Sequence, residues 1–138
     1  MAKDAHEPLT VFADTAFFVA IMNRRDALHD AALEWAQRPR LRLVSSEYVL
    51  IELANFLAKS NQHRAVAALF SPSPSQPLTI VAGSKTILRA ALGLYSKHDD
   101  KAWSLTDCTS MAIMKRQRLR RVLTPDHHFK QAGFETLL

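Results

Sequence analysis

Hydrophobic and polar positions along this chain fall into two alternating rhythms. Short apolar runs rich in β-branched residues read as buried strands: LTVFAD at Leu9–Asp14, LRLVSS at Leu41–Ser46, LTIVA at Leu78–Ala82 and RVLT at Arg121–Thr124, with Glu135–Leu138 as a last one. Between them the apolar spacing turns helical. Thr15–Asn23 is an apolar helix, and Ala27–Arg38 carries Leu28, Ala31, Ala32 and Trp35 on one face. Ser46 is placed to cap a helix over Glu47–Lys59, with Glu47 in its first turn. Gln62–Phe70 and Ser84–Lys97 follow, the second with an apolar face at Ile87, Leu88, Ala91, Leu94 and Tyr95. Ser104 or Thr106 caps a helix to about Gln117, and His127–Ala132 is a helical turn ending at Gly133. Strands alternating with helices predict an α/β fold. Its sheet has four or five mostly parallel strands covered on both faces, because parallel strands need crossovers. Ligands of such sheets bind beyond the carboxyl ends of the strands.

Composition narrows the class. A chain of 138 residues, 48% hydrophobic and 22% charged, is expected to form one domain with positions 1–8 flexible. The acidic motifs lie on both sides of SPSPSQP at Ser71–Pro77, so that stretch reads as a surface loop rather than an interdomain linker. A net charge of +5 favours a polyanionic partner. The lone Cys108 rules out an intramolecular disulfide and suits a reducing cytoplasm. The polar start MAKDAHEP lacks the pattern of a secretory signal, and no run approaches the ~20 apolar residues of a membrane span.

Four acids carry the candidate chemistry: Asp14 in VFADT, Glu52 in IELAN, Asp107 in SLTDC and Asp126 in LTPDHHF. Each sits in or beside an apolar stretch, where an unpaired carboxylate is costly to bury. Local structure offers each another duty. Asp14 is placed to cap a helix, Asp107 completes Ser104-x-x-Asp107 in the manner of a capping box, and Asp126 follows Pro125 in a turn. Glu52 shares a polar stripe with Tyr48, Asn55 and Lys59, and Glu47 competes with it. About six residues into its helix, Glu52 stands roughly 9 Å along the axis, so the helix must tilt across the rim for the carboxylate to reach. Thr15, Asn55, Thr106, Thr124 and His128 stand near the acids as supporting groups. The pair His127–His128 invites a zinc reading, but adjacent histidines rarely point to one place and no third His or Cys lies near. Four carboxylates gathered at one sheet edge repel one another unless a cation joins them.

These motifs, in this order and spacing, resemble the PIN-domain ribonucleases, and more closely the VapC-type toxins of bacterial toxin–antitoxin pairs. The matching stretches are FADTAFFVAIMNRRDALHDAA, SSEYVLIELAN, DKAWSLTDCTSMAIM and VLTPDHHFKQAGFETLL. The resemblance implies a three-layer α/β/α sandwich with Asp14, Glu52, Asp107 and Asp126 binding Mg²⁺ or Mn²⁺. It also implies endonuclease action on structured RNA of the tRNA or rRNA class, a homodimer and inhibition by a small cognate antitoxin. The chain departs from the family pattern at Ala16, where many members carry Ser or Asn, and at His128, where many carry a further acid. Both positions bear on how many cations are held.

Hard oxygen ligands suit Mg²⁺ or Mn²⁺. A cation so held can polarise a phosphate and activate water, and in-line attack would leave a 5′-phosphate and a 3′-hydroxyl. The run KRQRLRR at Lys115–Arg121 supplies Lys115, Arg116, Arg118, Arg120 and Arg121 as candidate contacts to an RNA backbone. The same cations would stabilise a helix C-terminus. Two competing functions are an RNA-processing nuclease without an antitoxin and a non-catalytic binding module. A phospho-accepting receiver would need paired acids after an early strand and a lysine ending a late one, and neither is present.

Overall fold

The structure, a computed structural model, describes residues 7–69, 71 and 77–138. Of the expected flexible start, positions 1–6 lie outside these residues, as do Phe70 and positions 72–76 of the expected loop.

Five strands form one sheet in the order β3-β2-β1-β4-β5: β1 (Leu9–Ala13), β2 (Leu41–Ser46), β3 (Leu78–Val81), β4 (Arg121–Leu123) and β5 (Glu135–Thr136). Every pairing is parallel. The helices are α1 (Thr15–Met22), α2 (His29–Ala36), α3 (Glu47–Phe56), α4 (His63–Leu69), α5 (Lys85–Lys97), α6 (Leu105–Arg116) and α7 (His127–Gln131). Right-handed crossovers put the helices between β1 and β3 on one face of the sheet and α5 to α7 on the other. The expected three layers result. Packing agrees, with α1 against α2 and α3, α5 against α6, and α6 against α7.

Several ends are shorter than the apolar pattern predicts. α3 stops at Phe56, three residues before Lys59, because Leu57 leaves helical geometry and its carbonyl accepts from both the amide and the hydroxyl of Ser60. α2 is trimmed at both ends to His29–Ala36, where Asp26 takes the Leu28 amide in a turn ahead of it. Gly133 ends the last helical segment at φ +94°, a conformation open to glycine.

The core runs continuously from Val11, Phe12 and Ala13 of β1 through Val122 and Leu123 of β4 to Leu50 and Leu53 of α3 and Met111 and Met114 of α6. α6 is buried nearly all round. Its polar Asp107, Thr109 and Ser110 are therefore held inside the molecule rather than in water.

The chain leaves β1 toward β2 on one side and returns from β3 to β4 on the other. The switch point lies between β1 and β4, where parallel sheets open a crevice at the carboxyl rim. Ala13 pairs with Leu123 there, and the Asp14 amide donates to the Leu123 carbonyl at 3.3 Å. Across β1, the buried Ser45 hydroxyl donates to the Ala13 carbonyl at 2.9 Å, so the rim is pinned from both neighbouring strands.

Candidate metal centre at the carboxyl rim

Asp14 follows β1 and precedes α1 in the N-cap position, yet its side chain makes no cap hydrogen bond. It turns inward instead, 5% exposed, and accepts from the Thr124 hydroxyl at 2.9 Å. Thr124 follows β4 and is itself fully buried. Its hydroxyl oxygen also accepts from the Asp126 amide at 3.2 Å, so one threonine fixes both acids. Burial pushes the Asp14 carboxyl up to about 7, and the charges of Asp107 and Glu52 add to the rise. The Thr15 amide and the Thr124 hydroxyl pull it partly back.

Glu52 reaches the rim as the sequence required. Its carboxylate accepts from the Thr15 hydroxyl at 2.6 Å, directly beside Asp14. α3 packs on α6 from the opposite layer, and Glu52 lines a cleft of about 240 Å³ with Tyr48, Ile51, Asn55 and Thr106. The competing acid is spent elsewhere. Glu47 accepts from the Gly83 amide at 2.6 Å, while the Tyr48 hydroxyl accepts from the Ser84 amide and donates to its carbonyl.

Asp107 has two duties. It closes a reciprocal capping box with Ser104, whose amide donates to its carboxylate at 3.0 Å while the Asp107 amide donates to the Ser104 hydroxyl at 2.9 Å. At 8% exposure its carboxyl is raised, first by burial and then by the Asp126 charge, against the Ser104 amide and His128. Asp126 caps α7, accepting from the His128 amide at 2.9 Å. His128 stands between these last two acids, with Nδ1 3.4 Å from Asp107 and 3.1 Å from Asp126. That nitrogen is buried and has no hydrogen-bond partner, because neither carboxylate lies in bonding direction from it. The Ser110 hydroxyl is another buried polar atom without a partner.

A connected set results: Glu52 to Thr15, Asp14 to Thr124, Thr124 to Asp126, and Asp126 and Asp107 to His128. The residues fit a divalent cation, since they supply converging oxygen donors, half-buried to buried, and an orphaned buried nitrogen among them. Sequence reasoning gave Thr124 and His128 only supporting places and set zinc at the histidine pair aside. His127 and His128 do come together, with ring centroids 4.5 Å apart, and together with Asp126 they offer ligand atoms within 4.8 Å of one another. The available signal was an Asp capping a short helix, which curls the next two residues back around its carboxylate.

The basic run is not brought to this rim. Lys115 and Arg116 close the last turn of α6, whose first turn holds Asp107, and Arg121 opens β4 at the opposite end of the sheet. Arg121 also pairs with Glu135 at 3.1 Å. Trp103 is packed away, donating to Gln131 and stacked near His98, and Cys108 is buried.

The PIN domain model matches residues 11–135, from β1 to the start of β5. The chain belongs to the PIN-domain family. Over 90% of its length and 95% of the relative's, it is 30% identical to the 23S rRNA-specific endonuclease VapC20 of Mycobacterium tuberculosis. The crystal structure of VapC20, described as a sarcin–ricin loop cleaving toxin, superposes with a TM-score of 0.78 over 90% of this chain and 95% of that one. Two more distant structures share the fold. VapBC2 of Rickettsia felis, bound to a DNA fragment from its promoter, gives 0.65 at 16% identity, covering 94% of this chain and 98% of its own. FitAcB of Neisseria gonorrhoeae gives 0.63 at 16% identity, with 93% and 96% covered. The resemblance to VapC-type toxins carried by the four motifs is thus borne out.

Proposed function

We propose that this PIN domain, a single unit over its whole length, is a metal-dependent endoribonuclease and the toxin of a toxin–antitoxin pair. It hydrolyses phosphodiester bonds in structured RNA, of the class cut by VapC20. The observation that carries this is Asp14, a buried carboxylate that forgoes its helix cap to face Asp107 and Glu52 at the switch point. Such a group is costly to keep without a cation.

Asp14, Asp107 and Asp126 would hold Mg²⁺ or Mn²⁺, with Glu52 as ligand or water-orienting base. A cation there supplies a Lewis acid for the phosphate and acidifies water. The chain's own residues do the positioning. Thr124 fixes the Asp14 carboxylate and the Asp126 backbone in one geometry. Thr15 orients Glu52 at the open cleft, where an attacking water can approach and surrender its proton. Asn55 and Thr106 line the same cleft and are placed to contact the RNA strand.

Among the described residues no helix is long and apolar enough to cross a membrane, and we assign the protein to the cytoplasm with a small antitoxin as inhibitor. A second copy of the chain is the other partner. Exposed apolar residues on α5 (Leu88, Leu92, Tyr95) and α3 (Ile51, Phe56) offer the surface for it.

Induction in bacterial cells tests the toxin reading. Wild type should arrest growth, co-expression of the neighbouring small gene should restore it, and Asp14→Asn or Asp126→Asn should be folded and harmless. An Asp14→Asn protein as toxic as wild type would remove the acids from the activity.

A further inference from the structure

His128 is the one side chain in the cluster that is neither an acid nor an alcohol. Its Nδ1 is enclosed, faces two carboxylates and hydrogen-bonds to neither. An imidazolium in an ion pair would aim its N–H at one of them. A lone pair awaiting a Lewis acid has no such requirement.

The spacing fits the second case. Two neighbouring donors on an octahedral ion at about 2.1 Å stand about 3.0 Å apart, and on a tetrahedral ion about 3.4 Å. The His128 nitrogen lies 3.1 Å from the Asp126 oxygen and 3.4 Å from the Asp107 oxygen. The backbone holds this arrangement without help from the ring, because Asp126 caps the helix through the His128 amide and Ser104 anchors Asp107.

We propose that His128 is a nitrogen ligand of this carboxylate centre, binding the cation through Nδ1 together with Asp107 and Asp126, and that it tilts the centre toward Mn²⁺ over Mg²⁺. The inference rests on the metal-dependent reading above and adds the donor that sets metal preference. Mg²⁺ is served by carboxylate and water, whereas imidazole draws the transition metals, and Mn²⁺ accepts both donor types. The neutral ring also adds no negative charge to a centre already crowded with it. His127, with its side chain 72% exposed, is not needed for this binding.

Pulsed electron paramagnetic resonance on the Mn²⁺-loaded full-length protein reads the bond directly. Wild type should show a ¹⁴N coupling of imidazole strength, replaced by a ¹⁵N coupling when only the histidines are ¹⁵N-labelled. It should persist in His127→Gln and vanish in His128→Gln. Calorimetry should find Mn²⁺ bound at least tenfold more tightly than Mg²⁺ by wild type, with that ratio falling severalfold in His128→Asp. Stoichiometric Mn²⁺ without histidine coupling would overturn the assignment to His128 and leave the carboxylate centre standing. A coupling lost in His127→Gln instead would move the ligand to the neighbouring ring. Failure of wild type to bind Mn²⁺ at all would sink the metal centre and this inference together. The labelled wild type needs no variant to fold, so the result does not hang on His128→Gln.

Discussion

Asp14 gives up the duty its position offers. An aspartate after a strand and before a helix ordinarily caps that helix; this one is buried and bonded to Thr124 instead. Its proton therefore reports on the site. In the folded, metal-free protein the carboxyl holds a proton up to about pH 7, whereas the unfolded chain releases it near the ordinary aspartate value of 3.8. The folded state binds more protons between those limits, so this contribution is full below the lower value and is lost as pH rises through the upper one. At most it is worth about 4 kcal/mol. Thermal melts in EDTA should accordingly fall from pH 5 to pH 8, with Asp14→Asn flattening the fall and melting above wild type at pH 8. Asp107→Asn should also melt higher there, since an asparagine oxygen can still accept from the Ser104 amide while the repulsion with Asp126 is gone. Saturating Mn²⁺ should close these gaps by binding the native wild type. A flat wild-type profile would mean that the acids are not strained by one another's company.

The acids themselves were legible because a carboxylate in an apolar run needs a reason. Their connections were not. Thr124 meets Asp14 across 110 positions of chain and Thr15 meets Glu52 across 37, and no local pattern encodes such pairs.

At the scale of elements, strands and helices read well because every strand is buried on a regular beat, and β2 falls on Leu41–Ser46 as the pattern predicts. Helix ends read less well, because a turn such as that at Ser60 competes with the apolar rhythm and wins locally. Placement of the basic run was the larger gap. Composition shows five cations in seven residues but not which end of α6 they occupy. They stand at the end away from Asp107, about 18 Å along the helix. Only a substrate that spans α6 can touch both, as a folded rRNA stem does and a short oligonucleotide does not. Arg118→Ala with Arg120→Ala should therefore weaken binding of a folded RNA and flatten its salt dependence, while cleavage of a short oligonucleotide is unchanged. Equal loss on both substrates would place the run in the active-site path, and no loss on either would leave it a solvated helix end.

The whole molecule is polarised, with acids gathered at one rim of the sheet and cations at the other, under a net charge of +5. Its flank carries Leu92 and Tyr95, 45% and 50% exposed, one turn apart on α5. A second copy covering them would account for apolar surface that a monomer leaves in water. Sedimentation velocity at micromolar concentration should show a dimer, and Leu92→Glu should shift it to monomer with the melting temperature kept. A wild-type monomer would remove the self-association.

Every one of these roles depends on the rim being a centre for metal-assisted hydrolysis, and the ends of the cleaved RNA report that most directly. Purified protein given structured rRNA should cut it only with Mg²⁺ or Mn²⁺ present, stop with EDTA, and leave 5′-phosphate and 3′-hydroxyl ends, with Asp14→Asn inactive. Cleavage that survives EDTA, or products ending in a 2′,3′-cyclic phosphate, would contradict it.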